Sequence, residues 1–335
     1  LFRLNEFRSD EFGSDDSWQR PFRSLPPPCT KETEIDIAAN QKMSTDHQPG
    51  YLVSTAWLQA HLDDPDVRIL DCTTYMTPQP VGPSRIDSGR ADWAKGHIPG
   101  AQHVDMVTDL SDPHGRFPYT LPSDTRIAAL MSRLGIGNGH RVVLYGARHP
   151  MVVTRAWWVL STLGHNGVMI LDGGFEAWQR EGRPVSTEEP HFGAGSFRPK
   201  RRVDRVADAD DVARVLESRS ATTINALLPA QFAGTGGAHY GRPGRIPGSL
   251  NLPAASLIDP ATGCWRSRAE LEKLAHDAGL SEADDPVIVY CGGGIAATAT
   301  CFALQLIGRT RVAVYDNSLL EWSADPTRPM QCDAS

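Results

Sequence analysis

The residue best placed to do chemistry is Cys291, in the run Val287-Ile-Val-Tyr-Cys291-Gly-Gly-Gly-Ile-Ala-Ala-Thr298. Four apolar or aromatic residues precede it and predict a fully buried strand. The apolar spacing after Ala296 (Ala297, Phe302, Ala303, Leu306) predicts the inner face of a helix. Between them lies a loop with three consecutive glycines. Such a loop lets successive N–H groups point at one spot, and the dipole of the following helix favours negative charge there. A thiol held in that place becomes a thiolate more easily, and the thiolate is the nucleophile. Cys291 is therefore the expected catalytic residue, with the backbone of Gly292, Gly293, Gly294, Ile295 and Ala296 as the expected cradle for a bound anion.

Three other readings compete. A strand-end cysteine can be an inert core thiol. A phosphatase loop of the Cys-x5-Arg kind needs arginine at position 297, where this chain has Ala297. Gly292-Gly-Gly-Ile-Ala-Ala297 also fits a dinucleotide fingerprint, with Asp316 placed as the ribose acid. That fingerprint normally opens its βαβ domain, whereas this one lies near the end of the chain.

The surrounding elements alternate. In the first half they are a helix at Ser54–Leu62, a strand at Val67–Asp71, the turn Gly96-His97-Ile-Pro-Gly100, a helix at Asp124–Leu134 and a buried strand at Arg141–Tyr145. A helix at Val152–Leu163 follows, then a strand leading into Asp172-Gly-Gly174-Phe-Glu-Ala-Trp178. The second half repeats the order: a helix from Asp208, a strand at Thr222–Asn225, the turn Gly244-Arg245-Ile-Pro-Gly248 and a helix at Arg268–Ala278. Then come the strand before Cys291, a helix at Ala297–Ile307, and Val312-Ala-Val-Tyr-Asp316-Asn-Ser318-Leu-Leu-Glu-Trp322. Ile98 and Ile246 are 148 apart, Tyr145 and Tyr290 are 145 apart, and Asp172/Asp316 and Trp178/Trp322 are each 144 apart. Four ordered pairs at nearly constant offset indicate a duplicated domain. Alternating helices and strands make each copy an α/β unit with a mostly parallel sheet.

The expected organisation is a disordered extension over 1–50, with Met43 as a natural start, then a first domain over 51–185, a linker over 186–204 and a second domain over 205–330. In the first copy Gly146 aligns with Cys291, so only the second copy has a nucleophile. This also removes the dinucleotide reading, because the fingerprint falls on the fourth element of each unit and not at its opening.

Composition sets the background. The chain has 335 residues, 40% hydrophobic and 22% charged, with formal net charge −7. That mild acidity gives no reason to expect nucleic acid or an anionic membrane as partner, and no apolar run is long enough to span a bilayer. The six cysteines (29, 72, 264, 291, 301 and 332) show no CxxC pair or zinc spacing, which points to reduced thiols in the cytoplasm and to no metal.

Taken together, residues 50 to 330 resemble two-domain rhodanese-type sulfurtransferases, the thiosulfate and 3-mercaptopyruvate sulfurtransferase family. The resemblance rests on the paired G-H-I-P-G and G-R-I-P-G turns, on Leu171-Asp-Gly-Gly-Phe-x-x-Trp178 and Tyr315-Asp-Asn-Ser-x-x-Glu-Trp322, and on a single Cys loop in the second copy. It implies tandem rhodanese-like domains and a persulfide on Cys291, formed from a small-molecule sulfur donor and passed to cyanide or a thiol. No cofactor is expected. The loop matches the mercaptopyruvate branch at Gly292 and Gly294, with Ile295 for valine, and departs from it at Gly293 and Ala296. The thiosulfate branch has Arg or Lys after the cysteine, and this loop has no cation. The resemblance further implies a first-domain histidine, here His97, at the substrate, with Asp87 as its candidate acid. The family's carboxylate-binding arginine is replaced by Gln231, so Arg242 is the expected substitute and Arg155 the expected structural ion-pair partner. Asp71 and Asp316 are expected to be turn and cap residues. The alternative to an enzyme is a low-turnover sulfur carrier or scaffold of the same fold.

Overall fold

The structure, a computed structural model, describes residues 50–333 apart from 78, 80, 81, 148, 149 and 282. The expectations for the N-terminal extension, Gly50 aside, lie outside the described residues.

The first unit contains β1 (Leu52–Val53), α1 (Thr55–Ala60), β2 (Val67–Asp71), β3 (Thr74–Thr77), β4 (Arg85–Ser88), α2 (Arg90–Trp93), β5 (Ala101–His103) and α3 (Asp124–Arg133). It ends with β6 (Arg141–Tyr145), α4 (Pro150–Thr162), β7 (Val168–Leu171) and α5 (Gly174–Arg180). The second contains β8 (Val206–Ala207), α6 (Ala209–Ser218), β9 (Thr222–Asn225), α7 (Pro229–Ala233), β10 (Leu250–Asn251) and α8 (Arg268–Asp277). Its last four elements are β11 (Val287–Tyr290), α9 (Ala296–Leu306), β12 (Val312–Tyr315) and α10 (Ser318–Trp322).

Each unit has a five-stranded parallel sheet. The order is β1-β7-β6-β2-β5 in the first and β8-β12-β11-β9-β10 in the second, the same order strand for strand. Helices on both faces explain why the central strands β6, β7 and β11 are almost wholly apolar: a parallel sheet buries both sides. Helix starts are set locally. Ser54, Ser123 and Ser267 accept hydrogen bonds from N–H groups in the first turns of α1, α3 and α8, and Asp208 does so for α6.

The units meet through α4 and α9, both apolar nearly all round and buried accordingly. Trp157 on α4 and Phe302 on α9 pack edge to face with centroids 4.8 Å apart. Nearby, the hydroxyls of Thr154 and Thr298, 144 residues apart in sequence, lie 3.0 Å from each other. Equivalent positions touching in this way put the local two-fold axis of the duplication between these two threonines. Among the described residues the antiparallel hairpin β3–β4 has no counterpart in the second unit, and its mainly exposed or half-buried residues gave no sequence pattern.

Candidate active site

Cys291 directly follows β11, at the C-terminal edge of the second sheet, and residues 291–295 connect it to α9. The Gly294 N–H donates to Cys291 Sγ at 3.1 Å. The Cys291 N–H donates to Ser318 Oγ at 3.0 Å, and that hydroxyl donates to the Tyr315 carbonyl at 2.8 Å while standing 4.0 Å from Sγ. Ser318 has φ of 51°, a left-handed conformation unusual for a residue with a side chain. At the head of α10, the Leu319 N–H bonds the Cys291 carbonyl at 3.2 Å and the Leu320 N–H bonds the Gly292 carbonyl at 2.9 Å. The loop is thus held on both sides by backbone. Of the cradle amides expected from sequence, that of Gly294 makes the hydrogen bond to Sγ. Ile295 is buried and Ala296 opens the helix.

The glycines differ in what they allow. A Cβ on Gly292 would lie 2.1 Å from the Tyr240 ring, so the tyrosine covers the loop only because no side chain is there. Gly294 has φ of +84°, and a Cβ on it would meet the Asp316 carbonyl oxygen at 2.1 Å. At Gly293 the nearest atom is the flexible end of Leu320, 3.0 Å away.

The first domain reaches into this arrangement. Arg155, fully buried on α4, donates to Asp316 Oδ1 at 2.7 Å and to the Gly294 carbonyl at 3.2 Å, and it also reaches the Tyr119 carbonyl. The other Asp316 oxygen accepts the Leu121 N–H at 2.7 Å. Asp316, expected as a turn or cap residue, is instead the ion-pair partner of Arg155, and the two form a latch between domains that also holds the cysteine loop. Its mirror is weaker: Asp172 accepts the Trp265 N–H at 2.9 Å, with no arginine at the position equivalent to Arg155, where α9 has Ala299. Burial raises the Asp172 carboxyl to about 6, against the pull of the Trp265 and Gly173 N–H groups. Ser318 and Cys291 are matched in the first domain by Gly174 and Gly146, which keep the backbone bond (Phe175 N–H to the Gly146 carbonyl, 3.2 Å) but neither reactive side chain.

Cys291 retains 2% of its surface exposed. The Tyr240 ring lies over the adjacent Gly292, and burial, followed by the nearby Cys291 and Tyr119, pushes its phenol up. Two other thiols are poor nucleophiles: burial raises Cys301 to about 12, and burial followed by the nearby Asp71 and Asp109 raises Cys72 strongly. Among the described residues no group of three His, Cys, Asp or Glu side chains is placed to hold a metal.

Two residues expected at the substrate are engaged elsewhere. His97 is fully buried, precedes the N-terminal end of β5, and stacks on Trp93. Its Nδ1 is 2.8 Å from the Trp93 carbonyl and its Nε2 3.0 Å from the Glu188 carbonyl, so neither ring nitrogen is left for a ligand. The equivalent Arg245 does the same work in the second domain, where Nη1 and Nη2 each bond Asp333 at 2.8 Å. Arg242 spends Nε on the Ser323 carbonyl at 3.0 Å and Nη2 on the Trp322 and Asp325 carbonyls at 3.4 and 2.7 Å. The expected substrate fork is, in this geometry, a brace for the C-terminal end of α10. Asp87 lies on β4 in an exposed pair with Arg85 at 2.9 Å. Sequence reasoning missed Tyr240 and Tyr119 altogether and treated Ser318 only as part of a motif. Ser318 was within reach, since it is the position where the second repeat changes Gly to Ser beside the Gly-to-Cys change at 291.

This arrangement defines a tandem α/β protein with one cysteine loop at the mouth of its second domain. The rhodanese-like domain family matches residues 54–181 and 208–325, and the chain belongs to that family. Among known proteins it is similar to the sulfur carrier protein TtuD of Thermus thermophilus, with 34% identity covering 82% of this chain and 94% of the relative. It is also similar to a thiosulfate sulfurtransferase of Corynebacterium glutamicum, with 33% identity covering 84% and 91%. A solved structure of SseA from Escherichia coli, a 3-mercaptopyruvate sulfurtransferase, superposes with a TM-score of 0.70 at 30% identity and covers 80% of this chain and 98% of that one.

Proposed function

We propose that this chain is a sulfurtransferase in which Cys291 carries the travelling sulfur as a persulfide. The Cys291 thiolate attacks the outer sulfur of the donor, forming an S–S bond. With 3-mercaptopyruvate the C–S bond breaks, its electron pair goes to carbon, and the thiol proton ends on that carbon to give pyruvate. With thiosulfate the S–S bond breaks and sulfite leaves. Attack by cyanide or a thiol on the outer persulfide sulfur then returns the thiolate. The observation that carries this reading is the Gly294 N–H on Cys291 Sγ at 3.1 Å, at the start of a buried helix. Preorganised backbone donors of this type are worth roughly 2.7–4 kcal/mol each where charge gathers.

3-Mercaptopyruvate is the preferred donor, because the loop offers backbone dipoles and no cation for a dianion. The Arg155 charge beside it is already paired with Asp316. The expectation of an entirely reduced cysteine set does not hold, since Cys264 is disulfide-bonded while Cys72, Cys291, Cys301 and Cys332 are free; among the described residues, no helix is long and apolar enough to cross a membrane. A second reading, a sulfur carrier with slow turnover, draws on the near-complete burial of Cys291.

Mass spectrometry after incubation with each donor tests the proposal. A gain of one sulfur on Cys291, its loss on adding cyanide, and loss of transfer in Cys291→Ser but not Cys301→Ser support it. No added sulfur with either donor, or a dead Cys301→Ser, overturns it. Persulfide formation without multiple turnover supports the carrier.

A further inference from the structure

The hairpin β3–β4 begins just after β2 ends, and its base is closed by the Gly89 N–H on the Thr73 carbonyl at 2.9 Å. Met76 and Ile86 stand opposite each other in its register, and both pack against the main apolar core. The neighbouring pair, Tyr75 and Asp87, lies on the other face, as a period of two requires. A two-stranded hairpin is marginal by itself in water, so what its strands and tip touch decides where it lies.

Loop tips normally stand in water. Here Gly82, Pro83 and Ser84 are each half-buried, and two hydrogen bonds fasten them. The Gly82 N–H donates to the His239 carbonyl of the second domain at 2.7 Å, and the Ser84 carbonyl accepts the Tyr119 hydroxyl at 3.1 Å. Both partners lead to the cysteine loop. Tyr119 gives its carbonyl to Arg155, which also holds the Gly294 carbonyl. His239 precedes Tyr240, whose carbonyl accepts the Ser323 hydroxyl and whose ring covers Gly292. Tyr240 is therefore pinned by the first domain through His239 and by the second through its own carbonyl.

Cys291 is 2% exposed, so a donor or acceptor reaches Sγ only when something above the loop gives way. For a compact reagent a turn of the Tyr240 ring suffices. A bulky one needs the backbone at 239 and 240 to move, which breaks the Gly82 bond. We propose that the β3–β4 tip is the size filter of this site: fastened at Gly82 and Ser84, it holds Tyr240 over the cysteine loop, admits compact thiophiles and shuts out thiols carried by large molecules. The sulfur-acceptor side of this rests on Cys291 being the persulfide carrier; the filter itself acts on any reagent aimed at Sγ.

Thr77 and Arg85 are opposite in register, so replacing residues 78–84 with Asn-Gly closes the strands through a two-residue turn and removes the tip. The full chain and this variant are alkylated with iodoacetamide and with a polyethylene glycol maleimide. The rate is read as loss of the unmodified Cys291 peptide by mass spectrometry, which keeps it apart from the exposed Cys332. Loss of both tip bonds should raise the maleimide rate about tenfold and the iodoacetamide rate less than about threefold. Tyr119→Phe removes one bond and should raise the maleimide rate about threefold; it decides the matter if the shortened hairpin does not fold. An unaltered ratio of the two rates in Tyr119→Phe, or in a folded shortened chain, overturns the filter. After loading with 3-mercaptopyruvate, cyanide should discharge both chains alike and a polyethylene glycol thiol should discharge the shortened one faster; equal discharge by that thiol also overturns it. Failure to load counts against the sulfurtransferase reading and leaves alkylation, which reads only the thiol, to decide the filter.

Discussion

Arg155 and Asp316 sit in different domains, 161 residues apart in sequence, and their side chains meet at 2.7 Å in a fully buried ion pair. The pair has backbone partners on both sides: Leu121 N–H on the carboxylate, Gly294 and Tyr119 carbonyls on the guanidinium. Arg155 also lies over the Trp158 ring, 4.6 Å from its centroid. Removing one partner strands the other charge away from water. Arg155→Met should therefore cost roughly 3–5 kcal/mol in denaturant unfolding and slow sulfur transfer, because the Gly294 carbonyl loses its anchor. Arg155→Met with Asp316→Asn should recover part of that cost. Additive losses in the double-mutant cycle would remove the latch as a coupled unit.

The loop glycines should rank by what surrounds them. Gly292→Ala drives a Cβ into the Tyr240 ring and should lower the persulfidation rate at least tenfold, with partial rescue by Tyr240→Ala. Gly293→Ser needs only a small shift of Leu320 and should stay active. Tyr240→Ala alone should speed alkylation of Cys291 by a bulky maleimide. An unchanged alkylation rate would mean that the ring does not control access.

Asp172 makes stability depend on pH in a stated direction. Its folded value of about 6 lies above the ordinary 3.8, so the folded state holds the proton more tightly. The stability it gives is present at low pH and is lost as pH rises from about 4 to about 6. At 1.36 kcal/mol per pH unit the gap amounts to roughly 3 kcal/mol. Asp172→Asn minus wild type should therefore become more favourable across that window in urea unfolding, and a flat difference would refute the assignment. His165 works oppositely: burial lowers it to about 4, so its contribution is lost as pH falls from 6.5. The wild type should consequently be flatter on the acid side than Asp172→Asn.

His97→Ala and Arg242→Ala should lower the unfolding temperature and leave the Michaelis constant for an anionic donor unchanged, since both side chains are committed to backbone carbonyls. A raised Michaelis constant with unchanged unfolding would return either residue to the substrate.

Much of the fold was legible because it is written in local patterns. Continuous apolar runs such as Val142–Tyr145 and Val287–Tyr290 are what a sheet covered on both faces demands, and serine or aspartate before α1, α3, α6 and α8 marks where those helices begin. The two-residue strands β1, β8 and β10 were not legible, because two residues cannot display a period and their pairing depends on distant neighbours. The backbone partners of His97 and Arg242 were not legible for a related reason. Residue type says that a side chain can bind an anion, and nothing local says whether a backbone carbonyl will reach it first.

By itself the sequence determined the duplication, the α/β class and the one thiol followed by three glycines, since each depends on residue identity and spacing along the chain. Only the tertiary structure decided which amide faces that thiol, that Tyr240 lies over Gly292, and that Arg155 of one domain holds the loop of the other. Those facts depend on distances between residues far apart in sequence, which are set when two buried helices pack about a shared axis.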